Sequence, residues 1–168
     1  MQEQAYDMDK ILALYANGPD LLEAAVSGLD DAGLDTAPDA RNWSIRQIVH
    51  HVVDGDDLWK MGIKAALGGN ESAFTFEWYW AVPQDRWAEA WQYARREIAP
   101  SLALFRANRA HVLQMMYQIR EGWERSIHIR WPNGEEAALS AAYIVGMQAG
   151  HAVHHIEDIL SLRRTRGV

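Results

Sequence analysis

His151 and His155 stand four residues apart in the stretch Gly150-His151-Ala152-Val153-His154-His155-Ile156-Glu157-Asp158-Ile159. On a helix that spacing puts two imidazoles one turn apart on the same face, with about 5 to 6 Å between Cβ atoms. Two ring nitrogens can then converge on one divalent ion. His154 points roughly 100° away from His155 and is a poorer ligand for the same ion. A polar helix face carrying several histidines with no shared task has the same spacing, so the pair needs a partner elsewhere in the chain. A thermolysin-type zinc motif is excluded, because Ala152 occupies the place of its glutamate.

The partner lies about a hundred residues earlier, after Asn42-Trp43-Ser44-Ile45-Arg46-Gln47. Ser44 and Gln47 have the spacing of a capping box, each side chain satisfying a free backbone N–H at a helix start. From there Ile45, Ile48, Val49, Val52, Trp59 and Ile63 recur at helical spacing until Gly68-Gly69 stops the run. His51 shares a face with Ile48, Gly55 and Leu58, which predicts an inward direction; a satisfied core histidine would look the same. Asp54, three residues on, is placed to hold the spare ring nitrogen of His51. A solvated carboxylate fits that position equally well.

Composition bounds what such a site can be. The chain of 168 residues has 49% hydrophobic and 23% charged residues, enough for one core of useful size. A net charge of −7, with no long basic run, argues against nucleic acid as a partner. Cysteine is absent, so any metal must be held by histidine and carboxylate, and the chain has no thiolate nucleophile of its own. Asp7, Asp9 and Lys10 interrupt the first apolar residues, which is not the pattern of a secretory signal. No run of about 18 apolar residues is present to span a membrane, so no membrane partner is expected and the compartment expected is the cytoplasm. Eight tryptophans predict an aromatic pocket or interface.

Four long helical patterns position these residues. The first joins Met8, Ile11, Leu12 and Tyr15 to Leu21, Leu22, Ala25, Val26 and Leu29, with Asn17-Gly18-Pro19 predicting a kink or restart. Gly28 to Pro38 reads as a short helical turn and a loop. The second pattern is the one bearing His51. Asn70 to Pro83 holds Phe74, Phe76, Trp78, Tyr79 and Trp80, too aromatic for a plain linker. It reads as a loop across the mouth of a site, a cover for a subunit surface, or a core plug. The third pattern runs from about Gln84 to Arg120, with a break expected near Ala99 because of Pro100. His111, within it, is given no role. Ser126 to Trp131 alternates like a strand, and Pro132-Asn133-Gly134 supplies turn chemistry; His128 there is read as a surface residue. Ser140 is a plausible N-cap for the last helix, on which Gly146 and Gly150 would allow close approach of a neighbour. Arg163, Arg164 and Arg166 suit its C-terminal pole.

The fold class expected is all-α: an up-and-down type four-helix bundle with a small hairpin or structured loop before the last helix, residues 1–168 forming a single domain. In such a bundle His51 and the pair His151/His155 would supply three nitrogens and leave one coordination position open, the arrangement of a catalytic site.

The segments Trp43-Ser44-Ile45-Arg46-Gln47-Ile48-Val49-His50-His51-Val52-Val53-Asp54 and Gly150-His151-Ala152-Val153-His154-His155-Ile156 resemble those of the DinB/YfiT-like proteins. The Gly18-Pro19 helix opening and the Gly28-Leu29-Asp30 turn are similar too. The resemblance covers nearly the whole chain in the order of its elements, although only the two histidine segments are specific. It implies a four-helix bundle in which His51, His151 and His155 hold a divalent metal, zinc or nickel, and it implies a homodimer. It also implies a thiol-dependent S-transferase or isomerase acting on a small electrophile, with a low-molecular-weight thiol as cosubstrate. Metal-dependent hydrolysis, or non-catalytic binding of a small ligand, are the alternatives. Asp54, Glu157 and Asp158 are the carboxylates at hand to orient or deprotonate the nucleophile, Asp54 being the candidate catalytic residue. The aromatic stretch Phe74 to Trp80 departs from the family's pattern, so pocket shape does not carry over.

Overall fold

The structure is a computed structural model that describes residues 7–69 and 73–168. Asp7 accepts from the Lys10 N–H and starts α1, Met8–Val26. No restart interrupts this helix at Pro19, for a reason the side chains supply. A proline lacks the N–H that would bond the carbonyl four residues back, which here is Tyr15 O. Arg109 donates to that carbonyl instead, Nη1 to O at 2.9 Å. Gly18 makes the room, since a Cβ there would stand 2.1 Å from Arg109 Nη1.

A one-turn helix α2, Asp31–Leu34, is capped by Asp30 and leads to α3, Ile45–Leu67. The capping box at its start is complete: Gln47 N–H donates to Ser44 Oγ at 3.3 Å and Ser44 N–H to Gln47 Oε1 at 2.9 Å. Residues Asn70 to Ser72 of the aromatic stretch lie outside the described residues. The rest forms a short strand β1, Ala73–Phe74, and a turn of helix α4, Glu77–Trp80.

The third long pattern is not one helix. It divides into α5, Gln84–Ala90, a 3-10 turn at Tyr93–Arg95, and α6, Ile98–Gln118. The break falls ahead of the expected position, at Gln92, whose φ of 56° is left-handed. Pro100 sits in the first turn of α6, where a missing N–H costs nothing. A hairpin follows, β2 (Ser126–Arg130) with β3 (Glu136–Ser140), its turn passing through Gly134 at φ 85°. β1 adds to β2 in parallel, giving the order β1-β2-β3. The last helix, α7, spans Ala141–Arg166. Ser140 both ends β3 and caps α7 by accepting from the Tyr143 N–H at 3.1 Å. The Ala141 and Ala142 N–H groups donate to Arg125 O and Trp123 O, locking the helix start to the base of the hairpin.

The four-helix bundle with its small pre-terminal hairpin is therefore what forms. Packing joins α1 to α7, α7 to α3, α3 to α6 and α6 to α1. The order around the bundle is α1, α6, α3, α7, so the first and second long helices lie diagonally and the two histidine-bearing helices are neighbours. Two apolar cores stack along the axis. One gathers Leu12, Ile63, Val112, Met116, Ile127 and Ile144 against the sheet. The other gathers Leu22, Ile45, Val49, Phe105, Ile156 and Ile159. Between them runs a buried polar belt. Arg109 pairs with Asp56 at 3.0 Å, both side chains 1% exposed, and lies over the rings of Tyr15 and Phe105, each centroid 4.2 Å away. Its Nη2 donates to Gln148 O at 2.9 Å. One guanidinium thus ties together α1, α3, α6 and α7. Among the described residues no helix is long and apolar enough to cross a membrane.

Candidate metal centre

His51 projects from the buried face of α3, 6% exposed, its ring 4.6 Å from that of Trp43. His151 and His155 project from α7 toward it. The three ring centroids are 4.7 to 5.1 Å apart and the rings meet edge to face. One nitrogen from each lies within 4.8 Å of the others, and His51 Nε2 is 3.2 Å from His151 Nε2. A tetrahedral ion with nitrogen ligands at 2.0–2.1 Å would separate any two of them by roughly 3.4 Å. The donor set and its spacing therefore fit a three-histidine divalent centre.

Electrostatics suit the same role. Burial, then the neighbouring imidazoles, push the His51 pKa down to about 3. Burial and His155 push that of His151 to about 4. Burial also lowers His155, opposed by Asp158. All three rings are neutral near pH 7, the form that binds a metal without first losing a proton. His155 Nδ1 is 3.1 Å from Asp158 Oδ2. A carboxylate only accepts, so Nδ1 carries the proton and Nε2 keeps the free lone pair.

The other expected residues fall out as follows. Asp54 does not hold His51: its partner is Arg96, Nη1 to Oδ2 at 3.0 Å, and it opens onto a separate recess with Asp57 and Trp91. The orienting carboxylate is Asp158, on His155. Glu157 is exposed. His154 is 72% exposed, 3.7 Å from Asp158 and 5.2 Å from the His155 ring, so with those two it forms a second, more exposed group of convergent donor atoms. His50 is a core residue, fully buried between Ser101 Oγ at 2.9 Å and Arg96 O at 3.1 Å. His111 and His128 are exposed. Gly146 meets Ile11 at an ordinary 3.7 Å and Gly150 faces open space, so neither is needed for close approach.

Two concavities flank the cluster. An open groove of about 560 Å³ reaches His155 past Arg41, Trp43, Asp158 and Thr165. A tighter cleft of about 240 Å³ reaches His51 and His151. Phe76, Tyr79 and Trp80 line that cleft, and Phe76 is also buried in the apolar core with Phe74, Tyr79 and Trp80 packed against that core, so the aromatic segment is both a wall of the site and a plug in the core. Sequence reasoning missed Arg109 and Asp56. Both sit at core spacing among apolar residues, Arg109 between Phe105 and Val112, and that placement was the available signal.

A four-helix bundle with three convergent neutral imidazoles has the donor arrangement that a metal centre would need. The chain belongs to the DinB superfamily, whose family model matches residues 14–159. It is 28% identical over 168 residues to a Geobacillus thermodenitrificans protein named "Putative metal-dependent hydrolase", covering 99% of this chain and 89% of that one. It is 31% identical over 147 residues to a Bacillus cereus protein with the same wording in its name, covering 87% and 79%. Its fold is that of YfiT from Bacillus subtilis, described as "a probable metal-dependent hydrolase with an unusual four-helix bundle topology". The TM-score is 0.83, with 99% of this chain and 93% of that chain covered at 23% identity.

Proposed function

We propose that the protein is a metal-dependent enzyme in which His51, His151 and His155 hold one divalent ion, zinc or nickel, and that it hydrolyses a small substrate. The observation that carries this is the convergence of three neutral ring nitrogens within 4.8 Å, drawn from adjacent helices. A divalent ion on three imidazoles supplies Lewis acidity and brings the pKa of a water down to about 7. The chain supplies the rest. Asp158 holds the Nδ1 proton of His155 and so aims Nε2. Trp43 packs against the His51 ring, the centroids 4.6 Å apart. The aromatic segment narrows the cleft and lines it with apolar surface, which strengthens charge interactions inside it. The relatives' names support water as the nucleophile.

A second reading keeps the same ion and replaces water by a low-molecular-weight thiol, giving an S-transferase or isomerase. The groove beside His155, with Arg41 at its rim, has room for such a cosubstrate. Metal analysis of the purified protein tests the shared premise: about one ion per chain, lost in His151→Ala. Protein that stays metal-free after zinc or nickel addition would refute both readings. An ester and amide panel, turned over with and without added thiol, separates them.

A further inference from the structure

The cleft beside His51 and His151 is walled by four separate stretches of chain. Trp59 comes from α3, Phe76 and Trp80 from the aromatic segment, Trp131 from the hairpin, and Met147 and Gln148 from α7. The aromatic rings form a closed circuit: Trp59 to Phe76 is 4.8 Å, Phe76 to Trp80 5.5 Å, Trp80 to Trp131 5.2 Å and Trp131 to Trp59 6.3 Å. Such mutual contacts hold the wall in place before anything binds. Among the described residues, no Lys, Arg, Asp or Glu side chain lines the cleft. In a chain that is 23% charged, and beside a second groove that does carry Arg41 and Asp158, this marks a chamber from which charge is kept out.

Size narrows the occupant. A cavity of roughly 150 Å³ holds one benzene, so about 240 Å³ takes a single ring and a short polar group. Gln148 completes the wall, 3% exposed and uncharged.

From the uncharged lining, the aromatic circuit and the size, we infer that this cleft takes a small uncharged aromatic compound with one short polar group beside its ring, an anilide or aryl carbamate, that group toward His51 and His151. As a substrate assignment this rests on the metal-enzyme reading; as a binding assignment it does not.

The test is calorimetric binding of acetanilide to the full-length, metal-loaded protein. Its comparators are 4-acetamidobenzoate and 4-acetamidobenzylammonium, each measured also on protein stripped of its ion, where nothing can ligate the carboxylate or repel the ammonium. There acetanilide is expected to bind about tenfold or more tightly than either charged analogue, whose charge would lose its water. Trp80→Leu should lose that affinity while keeping the metal content of the parent; Trp131→Leu serves if the first variant does not fold. Gln84→Lys, at the exposed rim, should narrow the discrimination against the benzoate. Equal affinity for neutral and charged analogues in the stripped protein, or no acetanilide binding by protein that holds its ion, would overturn the inference and leave the metal reading standing. Selective acetanilide binding by protein that never takes up an ion would support the cleft and sink the metal reading.

Discussion

Arg109→Met tests the polar belt that aligns the four helices. Methionine keeps much of the volume, so the change is chiefly electrostatic. It strips the Asp56 carboxylate of its cation and leaves the Tyr15 carbonyl, which Pro19 cannot serve, without its donor, while the Gln148 carbonyl keeps its bond within α7. Breaking one side of a buried ion pair costs about 3–5 kcal/mol, and the orphaned carbonyl about 1 kcal/mol more. The expected loss at pH 8 is therefore roughly 4–6 kcal/mol, comparable with the whole stability of a small domain. The loss also depends on pH. Burial already raises Asp56 to about 6, with Arg109 pulling the other way. Its folded pKa lies above the unfolded value of 3.8, so the folded state holds the extra proton between the two, and stability falls as pH rises through that window. Without Arg109 the folded pKa climbs further and the window widens upward. The difference between variant and parent should be largest at pH 8 and shrink toward pH 5. Urea unfolding followed by circular dichroism at both pH values measures it. The double variant Asp56→Leu/Arg109→Met should recover most of the loss, because an apolar pair replaces the ionic one. A single variant within about 1 kcal/mol of the parent at pH 8, or a double variant no better than the single, would refute the reasoning.

Gly18→Ala would normally gain about 1 kcal/mol in a helix. Here the new Cβ would meet Arg109 Nη1 at 2.1 Å, so a loss of about 1–3 kcal/mol in thermal unfolding is expected instead. Asp158→Ala frees His155 Nδ1 and should weaken zinc or nickel binding about 10- to 100-fold by competition with a chelator, the far-ultraviolet spectrum staying unchanged. Metal-free protein should hold a constant urea midpoint from pH 8 to 7 and lose stability as pH falls below 6.5. The folded pKa values of His51 and His151 are depressed to about 3 and 4, so the unfolded chain takes up their protons first. Each ring contributes up to about 1.4 kcal/mol per pH unit, and Asp56 opposes with one such share below about pH 6. Ser44→Ala should cost about 1 kcal/mol in the same assay, through loss of the capping box.

Local signals carried far in this chain. The capping box at Ser44 and Gln47, the stop at Gly68-Gly69, the Ser140 cap and the inward face of His51 are each written within a few neighbouring residues, and each is found. What needed the folded chain was long-range. Pro19 reads locally as an interruption, and only a guanidinium from 90 residues later keeps α1 whole. Asp54 reads locally as a partner for His51 or as a solvated carboxylate alike, and neither holds, because the approach of the chain ahead of α6 brings Arg96 to it. The diagonal placement of α1 and α3 has no local signature at all, since it depends on which grooves the finished helices share.

Because Ser140 is at once the last rung of a β-ladder and the first cap of α7, the pairing of the hairpin sets the azimuth at which the final helix leaves it. An α-helix turns roughly 100° per residue, so one residue inserted between Ser140 and His151 would swing both imidazoles out of the cluster as a gear slipped by one tooth. Extra residues at Pro132 to Gly134 would lengthen the turn beyond the ladder and leave the rings where they are. Variation in length is thus tolerated at the tip of the hairpin and forbidden on the ten residues that separate its root from the first histidine of α7.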